Sequence, residues 1–152
     1  MKQDKLNEFL VDFKKFLETY YSKTFNEITI DNSDNFIDII ISGNEDSILN
    51  ISSHDCEITI GFGETHSHID NYDEPCDFDE IYKHTIQTVF DILNCVTVTY
   101  SCHNPEREFG GGSYNSMDGE AAANACMFPS KSETKKLKSW GMPTQIHKIS
   151  RD

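Results

Sequence analysis

The chain has 152 residues, with 26 acidic side chains against 13 Lys and Arg and a net charge of −13. That length suits one domain, residues 1–152, large enough to bury its own core. The charge opposes binding to nucleic acid or to an anionic membrane, and no apolar run reaches the roughly 20 residues that span a bilayer.

At the N-terminus, Lys2, Lys5, Lys14 and Lys15 are mixed with Asp4, Glu8 and Asp12. No continuous apolar stretch follows, so this segment does not read as a signal peptide. The five cysteines (Cys56, Cys76, Cys95, Cys102 and Cys126) are scattered and form no Cys-x-x-Cys. They read as reduced thiols of a cytoplasmic protein, not as a disulfide framework or an all-cysteine zinc site. Charge is unevenly spread. Between Lys23 and Lys83 lie 15 Asp or Glu and not one Lys or Arg, whereas residues 131–152 hold Lys131, Lys135, Lys136, Lys138, Lys148 and Arg151. The acidic stretch is either a solvated surface or a surface that attracts basic proteins.

Residues 3–22 form an amphipathic helix. Leu6, Phe9, Leu10, Phe13, Phe16, Leu17, Tyr20 and Tyr21 recur at steps of three and four, the helical period, and form a core stripe. Short β-rich runs follow at 25–30, 36–42, 47–53 and 56–62, divided by turn clusters at 31–35 and 43–46 and by His54-Asp55. Links this short imply antiparallel hairpins. The chain then passes Glu64-Thr65-His66-Ser67-His68 and enters an acidic loop, 69–75.

Residues 77–94 form the second helix, with Asp77 as N-cap and Glu80 at the capping-box spacing. A strand at 95–102 follows. A glycine-bearing strand is expected near 108–116, a helical turn within 120–127, and final strands at 137–140 and 144–149. The lone Trp140 suits either the core or a surface anchor. The expected fold is α+β: two layers, a mostly antiparallel β-sheet packed with two amphipathic helices.

The chemistry concentrates around His66 and His68. Residues two apart on an extended chain project to one side, which places Glu64, His66 and His68 together. Such a group is a metal site, an acid/base pair or a polar recognition edge. JAMM-type zinc isopeptidases carry His-Ser-His, seven residues, Ser, two residues and Asp. His66-Ser67-His68, Cys76 and Asp79 resemble that pattern, with Cys76 standing where the family has an oxyanion-stabilising serine. The resemblance implies a small zinc metallohydrolase using His66, His68 and Asp79. Cys56, Cys95 and Cys102 read as strand-borne packing thiols.

A second resemblance covers roughly residues 56–142. It consists, in order, of GFGETHSHID, an acidic loop, DFDEIYKHTIQTVFDILN, CVTVTYS, EFGGGSYN and a late Ser139-Trp140-Gly141. This set resembles small bacterial cytosolic proteins of immunity to polymorphic and contact-dependent-inhibition toxins. It implies a non-enzymatic, cytoplasmic protein that needs no cofactor or metal and neutralises one cognate toxin domain. Many such toxins are nucleases, basic because they grip phosphate, and an acidic protein suits that surface. The candidate partner-binding residues are Glu64, His66, His68, Asp70, Asp73, Glu74 and Asp77. The metallohydrolase remains the alternative.

Overall fold

The computed structural model describes residues 1–70, 76–118 and 133–148, apart from the side chains of Ser33 and Phe109. The fold is α+β. Helix α1 (Lys2–Tyr20) leads into strands β1 (Glu27–Ser33), β2 (Phe36–Ser42), β3 (Ile48–Ser52), β4 (Ile58–Phe62) and β5 (Thr65–Ile69). Helix α2 (Phe78–Leu93) follows, then β6 (Thr97–His103), β7 (Glu108–Asn115), β8 (Thr134–Lys138) and β9 (Gln145–Lys148). The strands divide into two antiparallel sheets where the sequence suggested one. A five-stranded meander runs β1-β2-β3-β4-β5, and a four-stranded sheet runs β7-β6-β8-β9. The expected helical turn within 120–127 lies outside the described residues.

The first turn cluster is tighter than its composition implied. β1 continues to Ser33, and only Asp34 and Asn35 make the turn, both at positive φ. Two such residues match the right-handed twist of the flanking strands. The sequence also hid β5. Its Thr-His-Ser-His core is polar, yet Thr65–Ile69 pairs along Ile58–Phe62 through a two-residue turn, Gly63-Glu64. Gly63 has φ 63°, and a Cβ there would meet Thr99 Oγ1 at 2.6 Å. Glycine thus permits both the turn and the approach of the second sheet.

Side chains alternate along the meander, and one face is core. Ile37, Ile39, Ile41, Leu49, Ile51, Ile58, Ile60 and Phe62 are buried there. They pack against Leu6, Leu10, Phe13 and Leu17 of α1 and Ile81, Val89, Ile92 and Leu93 of α2. The expected stripe on α1 is wider than the face it buries. Phe16 and Tyr20 lie at its margin, 42% and 71% exposed. Phe9 stacks on Tyr82 at 4.2 Å between centroids and Tyr21 on Phe90 at 4.7 Å, which joins the two helices by an aromatic seam. Asp77 caps α2, its carboxylate accepting from Glu80 N at 3.2 Å.

Trp140, just beyond β8, is core. Its ring lies 5.8 Å from that of Phe62, and its Nε1 donates to Thr24 O at 2.6 Å. Gly141 N donates to Ser47 Oγ at 2.8 Å. The indole therefore ties the second sheet to the start of the first.

The thiols differ from expectation. Cys56 and Cys95 are exposed, at positive φ in tight turns outside the strands. Cys76 is free and half-buried. Cys102 is buried in β6 as expected, but it is disulfide-bonded, which corrects the reading of a fully reduced chain. Pairing among scattered cysteines depends on tertiary approach and leaves no spacing signature.

Trp140→Ala is expected to destabilise the protein by about 3–5 kcal/mol through cavity formation. Gly43→Ala is expected to cost about 1–3 kcal/mol, because the new Cβ would sit 2.7 Å from Trp140 Cζ2. Urea unfolding checks both, and a Gly43→Ala midpoint equal to wild type would refute the close contact.

Candidate functional site

β5 carries the two histidines at the edge of the meander. His66 lies opposite Gly61 and His68 opposite Thr59, so both project to the face away from the helices. Their rings meet edge-on with centroids 4.9 Å apart. His68 Nδ1 contacts Glu57 Oε1 and lies 3.3 Å from Thr59 Oγ1. Both rings are exposed.

Glu64 is not with them, contrary to the expectation of a shared side. It occupies the turn before β5 and reaches the second sheet, where β6 and β8 converge on it. Lys136 Nζ donates to Glu64 Oε1 at 3.0 Å and Ser101 Oγ to Oε2 at 3.0 Å. His103 Nε2 lies 2.7 Å from Oε2 and 2.7 Å from Ser101 Oγ. Since the serine hydrogen goes to the carboxylate, the network assigns a hydrogen to His103 Nε2. A nucleophilic relay would place hydroxyl and carboxylate on opposite ring nitrogens. Here both meet the same one, so the trio is a closed hydrogen-bonded ring. Burial opposes ionisation of Glu64, but the bonds from Lys136 and Ser101, with the charges of His103 and Lys136, outweigh it and hold the carboxyl below its ordinary value.

Beside this junction lies a cleft of 250 Å³ between the sheets, lined in part by Asp46, Ile48, Glu64, Tyr100, Lys136 and Lys138. Lys138 is nearly buried, and its ammonium donates to Glu45 O at 2.6 Å and Met142 O at 2.5 Å. Burial lowers its pKa against the opposing pull of Asp46 and Glu45. The cations of this cleft are engaged by the protein itself.

The other predicted contact residues scatter. Asp70 pairs with Lys2 at 2.5 Å, and its side chain is only 8% exposed. Burial works against the Lys2 charge, but the Asp70 carboxylate prevails and raises the ammonium above its ordinary value. Asp70 thus ties the end of β5 to α1 and is not a freely exposed loop acid. Asp77 is exposed but caps α2. Asp73 and Glu74 lie outside the described residues. In the zinc pattern, Asp79 is exposed in the first turn of α2. Among the described residues, no group of three or more His, Cys, Asp or Glu is placed to hold a metal ion. No described helix is long and apolar enough to cross a membrane.

Two further features lie away from the loop acids. Ser101 and His103 share one face of β6, a two-residue spacing visible in the sequence, but Glu64 and Lys136 reach them only through the fold. The outer face of the meander is the other. There the strand alternation sets Glu27, Thr29 and Asp31 beside Asp38 and Ile40. No family model, curated protein or solved structure matches this chain.

Because the folded pKa of Glu64 lies below its ordinary 4.5, its ionised form stabilises the fold above that value. The contribution is lost as pH falls through the folded pKa. Glu64→Gln should therefore be less stable than wild type at pH 7, by under about 1 kcal/mol for so exposed a pair. The gap should close in acid. Urea unfolding of both proteins across pH 3–7 measures it, and a gap that widens in acid would refute the assignment.

Proposed function

We propose that this chain is an immunity protein that binds one cognate toxin domain and neutralises it by occupying its surface, with no chemistry of its own. The observation that carries the reading is charge segregation along the fold. All of β1–β5 lies within the stretch that has acids and no Lys or Arg, while β8 and β9 bring Lys135, Lys136, Lys138 and Lys148 together on the other sheet. The acidic sheet suits a basic toxin of the nuclease type. Long-range attraction speeds encounter, and close charge pairs add specificity. The ordered motifs over residues 56–142 resemble immunity proteins and support the same class.

Protection of this kind acts in the cytoplasm, where an incoming toxin meets its target. The Cys102 bond is the feature that pulls the other way, since disulfides belong mainly to oxidising compartments. A growth assay in the bacterial cytoplasm addresses both points. Where a toxin-like domain is encoded beside this chain, it is induced in a bacterial host, with and without the chain. Co-expression is expected to restore growth, and His66→Ala/His68→Ala is expected to retain most protection. Failure to rescue despite good expression of the folded chain would overturn the proposal. Loss of rescue in the histidine variant, with bound zinc in the wild type, would favour the metallohydrolase.

A further inference from the structure

We infer that the toxin-facing surface is the outer face of the five-stranded sheet, not the loop after β5, and that its occupant is a basic protein surface. This rests on the immunity reading and specifies where that binding occurs.

The helices fill the inner face of the meander, and the described residues of the outer face are half-buried to exposed. Strand register arranges it in rows. One row runs Asp31, Asp38, Ser52, Thr59, His68, and the next runs Thr29, Ile40, Asn50, Gly61, His66. Glu27, Ser42 and Ile48 make a shorter third row. Ser42, Ser52, Thr59 and Gly61 make a low floor, so a partner can approach closely. Ile40 and Ile48 are 40% and 55% exposed on adjacent strands, Ile40 within the face and Ile48 at its margin, where it also borders the cleft that holds Lys136 and Lys138. An apolar centre bordered by charge is the anatomy of a protein interface. The strands β1–β5 supply no Lys or Arg to this face.

Asp31 and Asp38 provide a separate observation. They are directly opposed across the β1–β2 ladder. Like charges in that position destabilise a sheet. Asn50 Nδ2 donates to Asp38, which satisfies one oxygen but neutralises neither charge. Folding alone would favour a neutral residue at one of the two positions. A basic side chain arriving from a partner relieves the repulsion, so the pair is complementary to a cation that no described residue supplies here. Of the described acids beside that loop, Asp70 is held by Lys2 and Glu64 by Lys136.

The test titrates the full chain with an inactive form of the toxin domain that the growth assay identifies. Glu27→Lys/Asp31→Lys is expected to weaken binding about a hundredfold or more, and Ile40→Ser about tenfold. Glu8→Lys/Asp12→Lys makes the same change in net charge on exposed positions of α1, across the sheet. It should alter binding by less than about threefold at physiological salt. Asp31→Asn should unfold at higher urea than wild type while binding more weakly, a split that a purely structural role would not produce.

A second measurement needs no variant. In the isotope-labelled wild type, the methyl resonances of Ile40 and Ile48 should move on adding the domain, and that of exposed Ile146 on β9 should not. Equal weakening by both double-lysine variants, or unmoved Ile40 and Ile48 signals in a formed complex, would overturn the surface assignment and leave the immunity reading intact. No binding by the wild type would overturn both.

Discussion

A strand has two faces, and in this protein that constraint separates a core face from an exposed one. Along β1–β5 every second residue turns toward the helices, and those positions are mostly isoleucine, leucine or phenylalanine. A shift of register by one residue would bring Asp38, Asn50 and Thr59 into the core and expel Ile37, Ile39 and Ile51. The cost of burying those polar groups holds the register. The same register that seals the core therefore dictates which side chains stand together outside. The outer rows are a consequence of core packing, and their composition is free to serve another purpose.

Much of this was legible before the structure. The helical period in α1 and the cap at Asp77 are local signals, and both helices lie where those signals put them. The hairpin links are also local, and the first four strands follow them closely. The departures are non-local. β5 is polar because it is an edge strand with one solvated face, so its sequence resembles a loop. The Lys2–Asp70 pair spans 68 positions and the Lys136–Glu64 pair 72, distances at which no spacing rule operates. The structural uses of Glu64 in a sheet junction and of Asp70 in a tether appear only in three dimensions, whereas the cap formed by Asp77 was local and legible.

The division into two sheets falls after β5. Asp70 then ties the end of β5 to α1, and α2 crosses the core face before β6 begins. The second sheet is anchored back by Trp140 at one end and by the Glu64 ring of hydrogen bonds near the β5 edge. These two attachments differ in kind. The indole is dry, buried and insensitive to pH, whereas the Glu64 junction is half-exposed and depends on ionisation. Acid should therefore loosen the contact between the sheets near β5 before it disturbs the core.

Charge segregation has a further physical consequence. The acidic and basic halves of the chain meet at the cleft that holds Glu64, Lys136 and Lys138. There the protein satisfies its own charges, so an incoming partner gains little by entering. Farther along the meander, Glu27, Asp31 and Asp38 form no ion pair with a described Lys or Arg. Interfaces form where unpaired charge coincides with exposed apolar surface, because desolvating a charge is costly unless the partner returns an opposite one. On this molecule the two coincide on the outer face, where Asp31 and Asp38 adjoin Ile40. A basic toxin that covered Ile40 without placing a cation near the aspartates would bury their repulsion as well as their charge. Under the proposed reading, recognition by this face would select for the arrangement of positive groups on the partner, not merely for their number.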